Sequence, residues 1–310
     1  MLLDVVVNRM DLETMTYAVD GAIARITLNR PARGNGITLR MPVELAHCVE
    51  RADLDPTVHV IALSGAGKGF CGGYDLVASA EGAGQDDVGA PPGSPIDPSV
   101  VAANHLPNEV WDPITDYQMM RRNVRGFMSL FFADKPVVCK VHGFCVAGGT
   151  DMALCSDLLV IESDAKIGYP PARVWGVPTT MMWAHRLGPQ RAKRLLLTGD
   201  CLNGREAVEW GLAIEHAPAE TLDARFEILL ERIARVPINQ LVMHKQVINQ
   251  ALWAQGLASS QMLGVTFDGI ARHTREGFAF QAKAMADGFK AAVHDRDDPY
   301  GDFGPSTFKG

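Results

Sequence analysis

The spacing of apolar positions changes several times along this chain, and each change marks an element. Residues 16–20 and 23–28 alternate polar and apolar around Gly21, which predicts a β-hairpin. Asn29-Arg30-Pro31 then ends the second strand. Residues 58–64 and 136–141 are continuous apolar runs, the pattern of strands buried on both faces, and 158–162 is a third, shorter run. Residues 42–52 and 116–133 predict helices, the second with Met119, Met120, Phe127, Met128 and Phe131 on or near one face. Residues 147–155 predict a buried helix, and 184–197 and 204–210 two more. From 222 to 290 the pattern is almost wholly helical. A strand–turn–helix part followed by a helical tail predicts an α/β core over 1–221 and a helical C-terminal region over 222–310. Between 79 and 99 the chain turns to Gly, Pro, Ala and Asp. That predicts a mobile surface insert over about 79–115, of the kind that serves as a lid where it borders a site.

Composition narrows the classes. With 310 residues and 47% of them apolar, the chain can bury a sizeable core. Its formal charge of −7 argues against a nucleic-acid partner, which needs a concentrated basic footprint, but leaves room for an anionic small molecule. None of the six cysteines form CxxC and most sit in apolar runs, so they are read as reduced core residues. His185, His216, His244, His273 and His294 are scattered without metal-ligand spacing, and no metal site is expected. The start of the chain lacks a charged segment followed by a long apolar one, and no apolar run approaches a membrane span. A soluble, cytoplasmic protein with no membrane partner is expected.

The candidate chemistry lies in a repeated motif. Gly69-Phe70-Cys71-Gly72-Gly73-Tyr74-Asp75 and Gly143-Phe144-Cys145-Val146-Ala147-Gly148-Gly149-Thr150-Asp151 each follow a buried strand and run towards a possible helix start. Glycine permits tight turns and close approach, and a helix start leaves its first N–H groups free. Two such turns facing one point would hold an oxyanion. Gly67, Gly69 and Gly72 also match a dinucleotide fingerprint, but no acidic residue ends a second strand about 20 residues on. Lys68 is followed by Gly69, not Ser or Thr, which excludes a Walker loop.

In this order and spacing the segments resemble the crotonase (enoyl-CoA hydratase/isomerase) superfamily, from about residue 23 to 303. The matching segments are Ile26-Thr27-Leu28-Asn29-Arg30-Pro31 with Asn35, then 68–76, 142–157, 188–199, 207–212 and 288–303. The resemblance implies a spiral of ββα repeats with a C-terminal helical trimerisation region, assembled as a homotrimer or a hexamer. It implies an acyl-CoA thioester substrate, coenzyme A being part of the substrate and no separate cofactor. It implies that the enolate oxygen is held by the backbone N–H groups of Tyr74 and Gly148, each three residues after its cysteine. Asp151 maps to the first of two catalytic carboxylates, i+3 from Gly148 and so on the same side of a helix. Its competing reading is complementing that helix's N-terminus.

The second hydratase carboxylate maps to Pro171, in Gly168-Tyr169-Pro170-Pro171, and proline cannot move a proton. Neither Asp164 nor Thr179 replaces it. Tyr169, Arg173, Trp175, His105, Glu109, Asp112 and Asp116 are the candidate substitutes, each with a packing or surface role as its alternative; His142 is read as structural. Contacts to CoA are assigned by resemblance to Arg33, Gly36, Lys68, Gly72 and Arg296. The expected activity is hydratase- or isomerase-like. A hydrolase or decarboxylase on the same fold, and a non-catalytic acyl-CoA-binding homologue, stay open.

Overall fold

The computed structural model describes residues 10–75 and 90–300. The first nine residues of the chain lie outside them, as do residues 79–89 of the expected insert and 301–303 of the last resemblance segment.

A six-stranded sheet carries the fold. It comprises β1 (Met15–Asp20), β2 (Ile23–Leu28), β3 (Val60–Gly65), β4 (Val137–Val141), β6 (Leu158–Glu162) and β9 (Glu215–Ala217), in the order β1-β2-β3-β4-β6-β9. β1 and β2 form the expected antiparallel hairpin, with Asp20 opposite Ile23 and Gly21 at φ +57°. The other neighbours are parallel. A second, three-stranded sheet joins β5 (Phe144–Val146), β7 (Lys166–Gly168) and β8 (Cys201–Leu202). Single bridges pair Ile37 with Tyr74 and Cys71 with Cys145. The chain therefore climbs as a spiral, and its successive turns contribute to the large sheet and then to the small one.

The apolar runs are buried on both faces because helices cover both sides of the large sheet. Ile61 and Leu63 of β3 join the core that includes Leu45 and Val49 of α1 (Met41–Leu54) and Phe127 and Phe131 of α3 (Pro113–Phe132). Val60 and Ala62 point the other way, into the cluster with Leu222, Phe226 and Leu230 of α7 (Ala219–Ala234). Those three α7 residues recur at i, i+4 and i+8, and burying each stabilises by roughly 1.5–3 kcal/mol. The boundary expected at 221/222 falls in the first turn of α7, which is a layer of the core. Residues 98–103 of the expected insert form α2 (Pro98–Ala103), whose N-cap Asp97 accepts from Ser99 N.

The helical tail continues as α8 (Ile238–Leu252), a π turn at Trp253–Leu257, α9 (Ala258–Arg272), α10 (Arg275–Asp287) and α11 (Phe289–Asp297). α8 docks on the C-terminal end of α3. Lys245 Nζ donates to the Leu130 and Lys135 carbonyls at 2.9 and 3.0 Å, and Asn249 Nδ2 donates to the Phe131 carbonyl at 2.7 Å. Carbonyls that a helix end leaves unpaired are thereby satisfied.

Between the large sheet and the glycine turns the backbone approach is tight. A Cβ at Gly143, where φ is +58°, would lie 1.9 Å from the Lys68 carbonyl oxygen. Gly143→Ala is expected to destabilise by about 2–4 kcal/mol, combining left-handed strain and overpacking. A chemical denaturation midpoint equal to the wild type's would contradict this packing.

Candidate active site

The two Gly-Phe-Cys turns lie side by side. Phe70 N and Cys71 N donate to the Phe144 carbonyl at 2.9 and 3.2 Å, and Val146 N donates back to the Cys71 carbonyl at 3.0 Å. The His142 ring Nε2 lies 2.9 Å from the Gly67 carbonyl, and its link between the turns fits the structural reading. Buried Asn35, at φ +53°, organises the first turn. Its Nδ2 faces the Ala66, Gly69 and Phe70 carbonyls at 2.9–3.0 Å, and its Oδ1 accepts from Arg30 N at 2.8 Å.

The pairing of Ile37 with Tyr74 decides where the Tyr74 amide points. Ile37 N donates to the Gly73 carbonyl, and Asp75 N donates to the Ile37 carbonyl. In a parallel bridge this leaves the N–H of the residue between them facing away. Gly148 is the first residue of α4 (Gly148–Ala153), so its N–H has no intrahelical acceptor. Among the described residues neither amide has a hydrogen-bond acceptor. The two loops touch here. A Cβ on Gly73 would meet Gly148 N at 3.4 Å, and one on Gly148 would meet the Tyr74 ring at 2.7 Å.

Asp151 lies one turn into α4 and is fully buried. Its Oδ1 accepts from Thr180 N and Thr180 Oγ1, both at 2.9 Å, while Oδ2 has no partner among the described residues. Burial pushes its carboxyl up to about 6, against the pull of the Thr180 hydrogen bonds and with a smaller push from Asp268. The described side-chain bonds of Asp151 go to Thr180 and not to the start of its own helix, in whose first turn it nevertheless stands as the acidic residue. Near it, Tyr74 Oη, Asn123 Oδ1 and Thr179 Oγ1 are also buried with no hydrogen bond of good geometry among the described residues, although the Asn123 side chain is near enough to pull the Tyr74 phenol down slightly. Burial raises the Tyr74 and Tyr169 phenols well above their ordinary value, with the Asp151 charge adding to it. A group of unpaired polar atoms inside an apolar core costs roughly 1–3 kcal/mol each unless something fills the space between them.

Pro171 lies in a 3-10 turn (Pro170–Ala172) and supplies no second carboxylate. The acidic candidates are engaged elsewhere. Asp116 Oδ1 accepts from Arg272 Nη2 at 2.8 Å, and its Oδ2 from Trp111 Nε1 at 2.6 Å. Asp112 caps α3, and Asp164 is an exposed partner of Arg205. Glu109 is exposed. His105 Nε2 faces Arg272 Nε at 3.2 Å. Arg173 is bound to the Thr198 carbonyl, Asp200 and Asp297. Trp175 keeps a buried Nε1 without a partner among the described residues and packs on Phe280. His105, Asp116 and His273 sit close enough to hold an ion, but the Arg272 guanidinium already fills the cationic place there.

Of the residues assigned to CoA, Arg33, Gly36 and Gly72 lie in one cluster of loops. Gly72 N donates to the Gly34 carbonyl, and Gly36 lies against Asp75 and Arg33. Arg33 pairs with Asp75 at 2.9 Å, which also pairs with Arg30. Lys68 is exposed and has no ion pair among the described residues. Arg296 stands apart. It grips Asp297 through two bonds of 2.8 and 2.9 Å and lies over Phe280, in the C-terminal helices.

The sequence profile described as enoyl-CoA hydratase/isomerase matches residues 18–93 and 111–279. The chain belongs to the enoyl-CoA hydratase/isomerase family. An enoyl-CoA hydratase crystal structure from Mycobacterium smegmatis is 56% identical, with a TM-score of 0.89 over 97% of this chain and 98% of that one. EchA13 of Mycobacterium tuberculosis, which carries an enoyl-CoA hydratase name, is 31% identical over 78% of this chain and 74% of its own length. The 1,2-epoxyphenylacetyl-CoA isomerase of Escherichia coli is 28% identical over 77% of this chain and 83% of its own. The fold is the crotonase fold with a C-terminal helical region, and the chain is an acyl-CoA enzyme of that type.

Thr180 escaped the sequence reading, although it is the main partner of Asp151. It lies 29 residues away, and no periodicity links the two.

Proposed function

We propose that the site takes an acyl-CoA thioester and holds the enolate oxygen between the Tyr74 and Gly148 amides. Asp151 moves the proton at the carbon next to the carbonyl. The observation carrying this reading is a pair of amides on touching loops, neither with an acceptor among the described residues, one of them three residues before a buried carboxylate that has one oxygen without a partner there. Fixed donors aimed at developing charge contribute most of the rate acceleration in such reactions, and a carboxyl tuned near 6 is matched to proton transfer near neutral pH. The reaction calls for no cofactor beyond the coenzyme A of the substrate, and for no metal. Lys68, Arg33, Gly36 and Gly72 are assigned the phosphate-facing side. Arg296 is on the C-terminal helices, and, like Arg33 with Asp75, it already pairs with an aspartate, Asp297.

The proline at 171 favours a proton shuttle, as in double-bond isomerisation, over addition of water. Water addition needs one group to activate water and a proton delivered to the α-carbon. Crotonyl-CoA hydration, followed by loss of the conjugated enoyl absorbance, is therefore expected to be slow while CoA-ester binding is retained. Pro171→Glu is expected to raise it, provided the turn tolerates the loss of proline's fixed φ. Hydration at the speed of a dedicated hydratase would contradict the single-carboxylate reading.

We place the enzyme in the cytoplasm, a reading supported by six buried cysteines without disulfides. No helix among the described residues is long and apolar enough to cross a membrane. The helical tail presents Val247 and Ile248 on α8 and Met262 and Phe267 on α9, each at least half exposed. A patch of that kind is expected to be covered by another copy. Light scattering should give a trimer or hexamer at micromolar concentration, and a monomer would contradict it.

A further inference from the structure

The loop that gives Thr180 to Asp151 is held in a costly conformation. Trp175 has φ +84° and Met181 φ +55°, and neither is glycine. Such backbone persists only where its surroundings over-determine it. The surroundings here are one face of α9. Gln261 Nε2 donates to the Thr180 carbonyl at 3.1 Å. A Cβ at Gly264 would lie 2.6 Å from the Pro178 carbonyl oxygen and 3.0 Å from Met181 Cγ. Asp268 Oδ1 accepts from Val177 N at 3.1 Å. Positions 261, 264 and 268 are i, i+3 and i+7, a single helical stripe. Arg272, one turn further, ties Asp268 to Asp116 on α3.

We propose that Gln261 and Asp268 are positioning residues for Asp151, fixing the 175–181 loop so that Thr180 keeps both of its hydrogen bonds to the carboxylate. The inference rests on the reading that Asp151 transfers the proton, but the contacts it uses are separate from the oxyanion site. Gly264 allows the helix to come this close. Without the clamp the loop relaxes, Thr180 withdraws, and Asp151 loses the bonds that favour its charged form. The charged and titratable groups facing Asp151 are Tyr74, Tyr169, Cys145, Cys155 and Asp268, with Arg272 behind Asp268.

The test reads Asp151 itself. Its protonated-carboxyl stretch is followed against pH by infrared difference spectroscopy, each variant being paired with its own Asp151→Asn partner. Gln261→Met keeps the volume and charge but removes the donor. It is expected to raise the Asp151 midpoint by roughly half to one unit, because hydrogen bonds to the charged form hold it down. It is also expected to lower kcat about tenfold with KM nearly unchanged, as for a misplaced catalytic group. An unmoved midpoint with an unmoved kcat overturns the proposal. Circular dichroism detects a variant that fails to fold, and Asp268→Ala compared with Asp268→Asn then decides. Both remove the charge, while only Ala removes the acceptor for Val177 N. The alanine variant should show the higher midpoint and the lower kcat, with asparagine restoring both; equal values overturn the proposal. Midpoints that move as stated in a protein that turns over none of the acyl-CoA esters offered would keep the clamp and refute the proposed function.

Discussion

Asp151→Asn is expected to lose turnover by about two to four orders of magnitude, the usual contribution of a positioned acid or base. Asparagine has the same shape, and its Oδ1 keeps both acceptor roles towards Thr180. The atom that changes is Oδ2, which has no partner among the described residues. Loss of activity through unfolding is not expected, and the linkage sign explains why. The Asp151 carboxyl sits at about 6 in the folded protein, above its ordinary value of 3.8. The folded state therefore binds the proton more tightly, and stability declines as pH rises through that window. At pH 7 the charged carboxylate costs the fold up to about 3 kcal/mol, which asparagine does not incur. The thermal midpoint of the variant at pH 7 should equal or exceed that of the wild type. For a step needing the carboxylate form, wild-type kcat should fall as pH drops through about 6. Unchanged turnover in Asp151→Asn would remove Asp151 from the chemistry.

Gly148→Ala should cost about 10²–10³ in kcat, the penalty for losing one oxyanion donor. The added Cβ would sit 2.7 and 2.9 Å from Tyr74 Cε2 and Cδ2 and 3.1 Å from Ile37 Cδ1. The Tyr74 ring has little room to retreat, since its hydroxyl is already buried. Either α4 shifts or the Tyr74 backbone does, and both movements separate the two amides. Overpacking should lower stability by about 1–3 kcal/mol. CoA-ester binding measured by calorimetry should persist, since the Lys68 and Gly72 side is untouched. A variant with full kcat would place the enolate oxygen elsewhere.

Much of the fold was legible because local rules and burial agreed. The β1–β2 hairpin follows from alternation around Gly21, and β3, β4 and β6 from apolar runs that helices cover on both sides. The two Gly-Phe-Cys copies told most, since they pair directly as neighbouring turns. The strands of the small sheet were not legible, because two or three residues are too few to show a period. The helix expected over 184–197 is broken at Gly188, where φ is +72°, just before Pro189. The π turn at Trp253–Leu257 lies in a tail that reads as continuous helix, although Gly256 at φ +89° marks it. The candidate site could be proposed from sequence where resemblance supplied positions, at Tyr74, Gly148 and Asp151. It was not legible where contacts join distant segments. Thr180 and Gln261 reach the site only through packing, and the charge of Arg296 carries no sign that Asp297 holds it.

Exchange of α-protons tests the central claim most directly, since it needs the enolate and neither water addition nor isomerisation. Acetyl-, butyryl- and hexanoyl-CoA are incubated with the enzyme in D₂O, and deuterium at the α-carbon is read by mass spectrometry. The account predicts enzyme-dependent incorporation into at least one ester, lost in Asp151→Asn and strongly reduced in Gly148→Ala. Esters that bind yet gain no deuterium, or that exchange as fast with Asp151→Asn, would contradict it.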